Sequence, residues 1–248
     1  MKKILIILCL LTSSMAMAQK SEGIVTYVRK EYWVKIASRL TFLSQEQKDR
    51  MAQITKNWDD NNKGTKMKLA FSPNESRYTY NSDEPEEGGY SWRKYDYILY
   101  RNFEKDKKND IIEMLGKTYI VDDSLHTPVW KIGNQIKEVA GYICMKAETE
   151  DPIKKQKITA WFAQDIPVPA GPERINGLPG LILELNVNDG DVIIEAIGVA
   201  FRPLTPDDLK LPKTKGKKIT DADYDKVISQ YISEQMTAHQ NPYWEIRY

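Results

Sequence analysis

Short runs of alternating apolar and polar residues, separated by polar or glycine- and asparagine-rich breaks, dominate the chain from residue 65 to residue 201. Residues 67–71, 77–80, 96–102, 110–114, 118–121, 129–132, 139–147, 157–163, 181–187 and 192–201 are rich in β-branched and aromatic side chains, and each predicts a strand. Residues 22–36 follow the same pattern and predict a strand or a strand pair. The breaks fall at 81–89, 105–110 and 188–190. Asn188-Asp189-Gly190 is a hairpin signal, because Asp-Gly favours the positive φ of tight turns.

Two segments have helical spacing instead. Ser44-Gln45-Glu46-Gln47 is a capping box, in which the serine side chain accepts from the third helical amide and Gln47 reaches back. Met51, Ile54 and Trp58 then share one face, so 44–58 predicts an amphipathic helix that ends before Gly64 and buries that face against a sheet. Thr220 caps a second helix over 220–236, with Val227, Ile228, Tyr231 and Ile232 along one side. Residues 240–248 end in Trp244-Glu245-Ile246-Arg247-Tyr248 and predict a last short strand. Many antiparallel-looking strands and few helices predict a mainly β (β-rich α+β) fold. Its form is a curved antiparallel sheet or open half-barrel, with an amphipathic helix after the first strands and a C-terminal helix.

The N-terminus changes the picture of where the chain works. Lys2 and Lys3, an apolar run over 4–11 and the small-x-small site Ala16-Met17-Ala18 predict a signal peptide over 1–18, cleaved after Ala18. That run is far short of the ~20 residues that span a bilayer. Cys9 lies inside the run, too early to leave a working signal before a lipid-attachment site. The expectation is therefore an exported, periplasmic protein with no transmembrane segment after cleavage, folded as one domain over 19–248. Without Lys2 and Lys3, 34 basic residues face 35 acidic ones, a net charge of −1. This argues against nucleic acid as a partner. Only Cys144 remains after cleavage, so no internal disulfide is expected, and a buried thiol on a strand is. The densest basic run, 213–218, reads as a solvated loop.

Chemistry is sparse. His126 and His239 lack Cys or His neighbours at metal-ligand spacing, so no metal site is expected. No nucleophile elbow surrounds Ser124 or any other serine, and no glycine-rich nucleotide motif is present, so neither an enzyme nor a cofactor is expected. A dense aromatic set (Tyr78, Tyr80, Tyr90, Trp92, Tyr95, Tyr97, Tyr100) either stabilises neighbouring strands or lines a ligand site.

The most distinctive stretch is 166–185. Pro167, Pro169 and Pro172 fix φ and withhold three amides, while Gly171, Gly177 and Gly180 allow backbone angles closed to other residues. The result is a stiff arm between two core strands. Asn176-Gly177 suggests a turn, and Leu178-Pro179-Gly180 a type II turn with glycine at its third position. The arm either plugs the sheet end with Leu178 and Leu181 or lines a binding mouth. Its residue types suit shape more than chemistry.

Taken with Gly23-Ile24-Val25-Thr26-Tyr27, Gly141-Tyr142, Cys144, Lys146-Ala147, Trp161, Ile166-Pro167 and Gly171-Pro172, the hexapeptide Gly177-Leu178-Pro179-Gly180-Leu181-Ile182 resembles the GLPGLI family. The resemblance implies an exported protein of Gram-negative bacteria, often encoded near outer-membrane receptors, with no established activity and no catalytic residues to carry over. The expected role is a non-enzymatic carrier of a hydrophobic small molecule or peptide, or an accessory that docks on an outer-membrane protein. Candidate contacts are Tyr95, Tyr97, Trp161, Pro167, Pro172, Leu178 and Pro179.

Overall fold

The computed structural model describes residues 21–81 and 97–248. Tyr90, Trp92 and Tyr95, with the signal segment 1–18, lie outside them.

Twelve described strands form one open sheet: β1 (Gly23–Glu31), β2 (Thr65–Phe71), β3 (Glu75–Tyr80), β4 (Tyr97–Asn102), β5 (Lys107–Met114), β6 (Lys117–Ser124), β7 (Lys131–Val139), β8 (Tyr142–Asp151), β9 (Gln156–Ala163), β10 (Leu181–Val187), β11 (Val192–Phe201) and β12 (Lys217–Ile219). Their order is β12-β6-β5-β4-β3-β2-β1-β11-β10-β9-β8-β7, antiparallel except for β12 beside β6. The first strand is central, flanked by β2 and β11. Its alternation buries Val25, Tyr27 and Arg29 on one face and leaves Ile24, Thr26 and Val28 half-buried on the other. Cross-strand pairing continues the buried row through Met67, Leu69 and Tyr78, with Tyr80 half-buried beside Met67, on one side, and through Ile194 and Leu185 on the other. The mainly β architecture with a C-terminal helix is therefore present. The turn at Asn188, Asp189 and Gly190 holds three consecutive positive φ values of 51°, 57° and 108°.

Four described helices accompany the sheet: α1 (Trp33–Ser38), α2 (Gln45–Asp60), α3 (Pro206–Leu209) and α4 (Asp221–Thr237). The capping box predicted at Ser44 and the cap predicted at Thr220 both form. Ser44 and Gln47 exchange both bonds, while Thr220 accepts from the Asp223 amide alone. Helix α4 lies along the buried face, with Tyr224 and Ile228 inward.

Four expectations fail. Residues 33–38 are a helix, because the Asp59 carboxylate accepts from the Trp33 and Val34 amides at 2.9 and 3.0 Å and so supplies a cap from far away in sequence. Helix α2 packs on α1 through that bond and leaves its apolar face uncovered: Ile54 is 62 % and Trp58 66 % exposed. Residues 240–248 form no strand. Pro242 opens a 3-10 turn, and Ile246 and Tyr248 then bury into the sheet face. Part of the basic run 213–218 joins β12.

The arm over 164–180 folds back on itself. Gly177 N–H donates to the Pro169 carbonyl at 2.9 Å, and Leu181 and Ile182 donate to Ile166 and Ala170. Ile166, Val168, Ala170 and Leu178 are buried, so the arm plugs the core with its apolar side. The positive φ is at Gly177 (90°), not at Gly180, so no type II turn ends there. Gly180 is needed for close approach instead: a Cβ on it would sit 2.3 Å from the Ala163 carbonyl oxygen. Gly180→Ala should therefore cost about 1–3 kcal/mol in denaturant unfolding. Gly198→Ala, where a Cβ meets nothing within 4 Å, should stay within about 0.5 kcal/mol of the parent. Equal stability of the two variants would contradict the close-approach role.

Candidate functional site

Between the buried sheet face, the arm, helix α4 and residues 243–248 lies a cavity of about 940 Å³. Its floor is built by charges that three distant parts of the chain bring together. The arm contributes Glu173, held at φ 58°, a conformation uncommon for a residue with a side chain. Strand β1 contributes Arg29 and the last segment contributes Arg247. Glu173 accepts from Arg247 Nη2 at 2.6 Å and Nε at 2.8 Å, from Tyr97 at 2.6 Å and from Tyr78 at 3.3 Å. Arg29 Nε stands 3.3 Å from the same carboxylate. The Arg247 guanidinium also lies 4.1 Å from the Tyr97 ring centroid, within cation–π range.

The electrostatics follow from this geometry. Burial by itself would raise the Glu173 carboxyl, but the Arg247 and Arg29 charges and the hydrogen bonds outweigh it and hold the group down at about 2. Burial and the neighbouring carboxylate push the Tyr78 and Tyr97 phenols well up, so both remain neutral donors. Lys154 donates to the Arg247 carbonyl at 2.7 Å, and burial lowers its ammonium to about 8.

A second cluster ties the arm to α4. Arg174 pairs with Asp221, with Asp225 at 3.2 Å and with Asp110 at 3.6 Å, and its guanidinium lies 4.9 Å from the Tyr224 ring. Asp221 also pairs with Lys108, and Asp110 with Arg101. A third contact anchors the last segment: the Tyr248 hydroxyl and Arg39 both donate to buried Asp191. Above these floors the rim is aromatic, with Trp33, Tyr243 and Trp244.

Of the predicted contacts, Tyr97 lines the cavity and Tyr95 lies outside the described residues. Trp161 lies away from the cavity, its ring 4.6 Å under the Lys137 ammonium beside the Lys137–Glu184 pair. Pro172 and Leu178 are buried in the arm, and Pro167 and Pro179 are exposed away from the cavity. Sequence reasoning missed Arg29, Lys154, Glu173, Arg174 and Arg247. The one available signal was Glu173-Arg174, an adjacent charge pair inside an otherwise apolar, proline-stiffened arm. Cys144 is a buried free thiol on β8, and burial raises it to about 11. Among the described residues no group of three or more His, Cys, Asp or Glu could hold a metal, and no helix is long and apolar enough to cross a membrane.

A family profile described as "Protein of unknown function (Porph_ging)" matches residues 149–184, which include the whole arm. No curated protein matches the chain. The fold is similar to part of PNGF-II in its C2 and P21 crystal forms, with TM-scores of 0.53 and 0.56 and sequence identities of 14 % and 13 %. The match covers 84 % of this chain and 32–33 % of PNGF-II, so the chain spans about a third of that protein, and at this identity the likeness is one of fold.

Glu173 gives a direct pH test. Its folded pKa lies below the ordinary carboxyl value, so its stabilisation is complete above about pH 4.5 and is lost as pH falls toward 2. Glu173→Gln should cost about 3 kcal/mol near neutrality, and the difference from the parent should close between pH 4.5 and 2. A difference that is constant across that window in thermal unfolding would contradict the ion-pair account.

Proposed function

We propose that this chain is an exported cell-envelope protein of the GLPGLI type that works by binding and not by catalysis, with the periplasm as its compartment. The observation that carries this reading is the 940 Å³ cavity, a volume within the range of ligand sites, walled by aromatic side chains over fixed charges. The hexapeptide at 177–182 lies inside the matched segment and holds the arm that forms one wall.

The composition of the walls favours a peptide segment over a purely apolar ligand. Ile158, Leu185 and Ile194 offer apolar contact, but Lys154, Glu150 and Glu245 share the same cavity. An apolar occupant would displace water from these charged groups without replacing its hydrogen bonds. A peptide supplies amides and side chains that can replace that water.

A docking role on an outer-membrane partner is the second reading. It is favoured by the exposure of Ile132, Ile136 and Ile143 on the β7–β8 hairpin at the open edge of the sheet.

Native mass spectrometry of protein purified from its own envelope separates the two. The binding reading predicts a mature chain starting at Gln19 that releases a co-purified peptide on denaturation. Repeated recovery of ligand-free protein beside a stoichiometric protein partner would overturn it in favour of docking.

A further inference from the structure

The cavity is acidic although the chain as a whole is nearly neutral. Among the described residues, eight carboxylates line it against five cationic side chains. Four of those cations are already matched: Arg29 and Arg247 by Glu173, and Lys108 and Arg174 by Asp221. The fifth, Lys154, is occupied in part by the Arg247 carbonyl. Two of the carboxylates, Glu150 on β8 and Glu245 in the last segment, are exposed and make no ion pair with any described residue. The described lining therefore carries a surplus of negative charge, which sets the sign of the field a ligand meets there.

The rim adds a second preference of the same sign. Trp33, Tyr243 and Trp244 present aromatic rings whose faces attract cations. The protein already grips one guanidinium in this way. Arg247 is held by two hydrogen bonds to one carboxylate while it lies over the Tyr97 ring. Arginine suits such a place better than lysine, because its planar fork bonds a carboxylate in two places and stacks on a ring.

Resting on the binding reading above, we propose that the cavity recognises a cationic peptide segment, with arginine side chains directed at Glu150 and Glu245 and seated against the aromatic rim. An anionic ligand such as a fatty acid or an acidic peptide meets the same surplus as repulsion.

The test uses the full mature chain and four synthetic peptides of one length and apolar content, carrying Arg, Lys, Gln or Glu at the variable positions, with a long-chain fatty acid as a fifth probe. Binding is read by tryptophan fluorescence and confirmed by calorimetry. The Arg peptide should bind about tenfold more tightly than the Gln peptide at low salt, with Lys between them and Glu weakest, and the gap should shrink at high salt. The double variant Glu150→Gln/Glu245→Gln should weaken the Arg peptide about fivefold and leave the Gln peptide unchanged, with the melting temperature unaltered because both positions are exposed. Equal or tighter binding of the Glu peptide or the fatty acid would overturn the cationic preference and leave the binding reading standing. An unchanged Arg affinity in the double variant would do the same. Failure of all five probes to bind would overturn both.

Discussion

The structure depends on a carboxylate that folding removes from water and surrounds with donors. Glu173 sits 17 % exposed between two guanidiniums and two phenols. An isolated ion in that place would cost several kcal/mol, so the arm can lie where it does only if Arg29 and Arg247 arrive with it. The first of these comes from the central strand and the second from the last segment. One interaction thus fixes the arm to the sheet, the last segment to the arm, and the shape of the cavity that all three enclose.

The backbone of the arm serves that placement. Pro172 sets the approach, and Glu173 then adopts φ 58°, a conformation retained only where the surroundings over-determine it. On either side the chain is packed to contact. A Cβ on Gly171 would sit 2.7 Å from the Ile182 side chain, and one on Gly177 would sit 2.1 Å from the Thr127 methyl. The apolar side of the arm fills the core while its short charged tip faces the cavity. Plugging the sheet and lining the mouth are therefore two sides of one element. Arg174, the next residue, carries the same logic to α4 through Asp221 and Asp225.

What could be read from the sequence was local. The strands at Leu181–Val187 and Val192–Phe201, the turn between them and the capping box at Ser44 are each specified by neighbours a few residues apart, and each formed as expected. What could not be read was supplied from a distance. Trp33–Ser38 looks extended in composition, yet it is helical because Asp59 satisfies its first amides. Ile54 and Trp58 have helical spacing, which says that a face exists but not that anything covers it. The floor of the site joins residues from the beginning, middle and end of the chain, and no spacing rule links them. The sequence analysis passed over the one local signal, the adjacent Glu173-Arg174 charges in a segment otherwise suited to burial.

The most direct test of this account is a double-mutant cycle on Glu173→Gln and Arg247→Met, read by denaturant unfolding at pH 7. If the pair organises the arm and the last segment, each single variant leaves a buried charge without its main partner. The double variant should then be less destabilised than the sum of the singles by at least about 1.5 kcal/mol. Additivity within about 0.5 kcal/mol would contradict the central role given to this interaction.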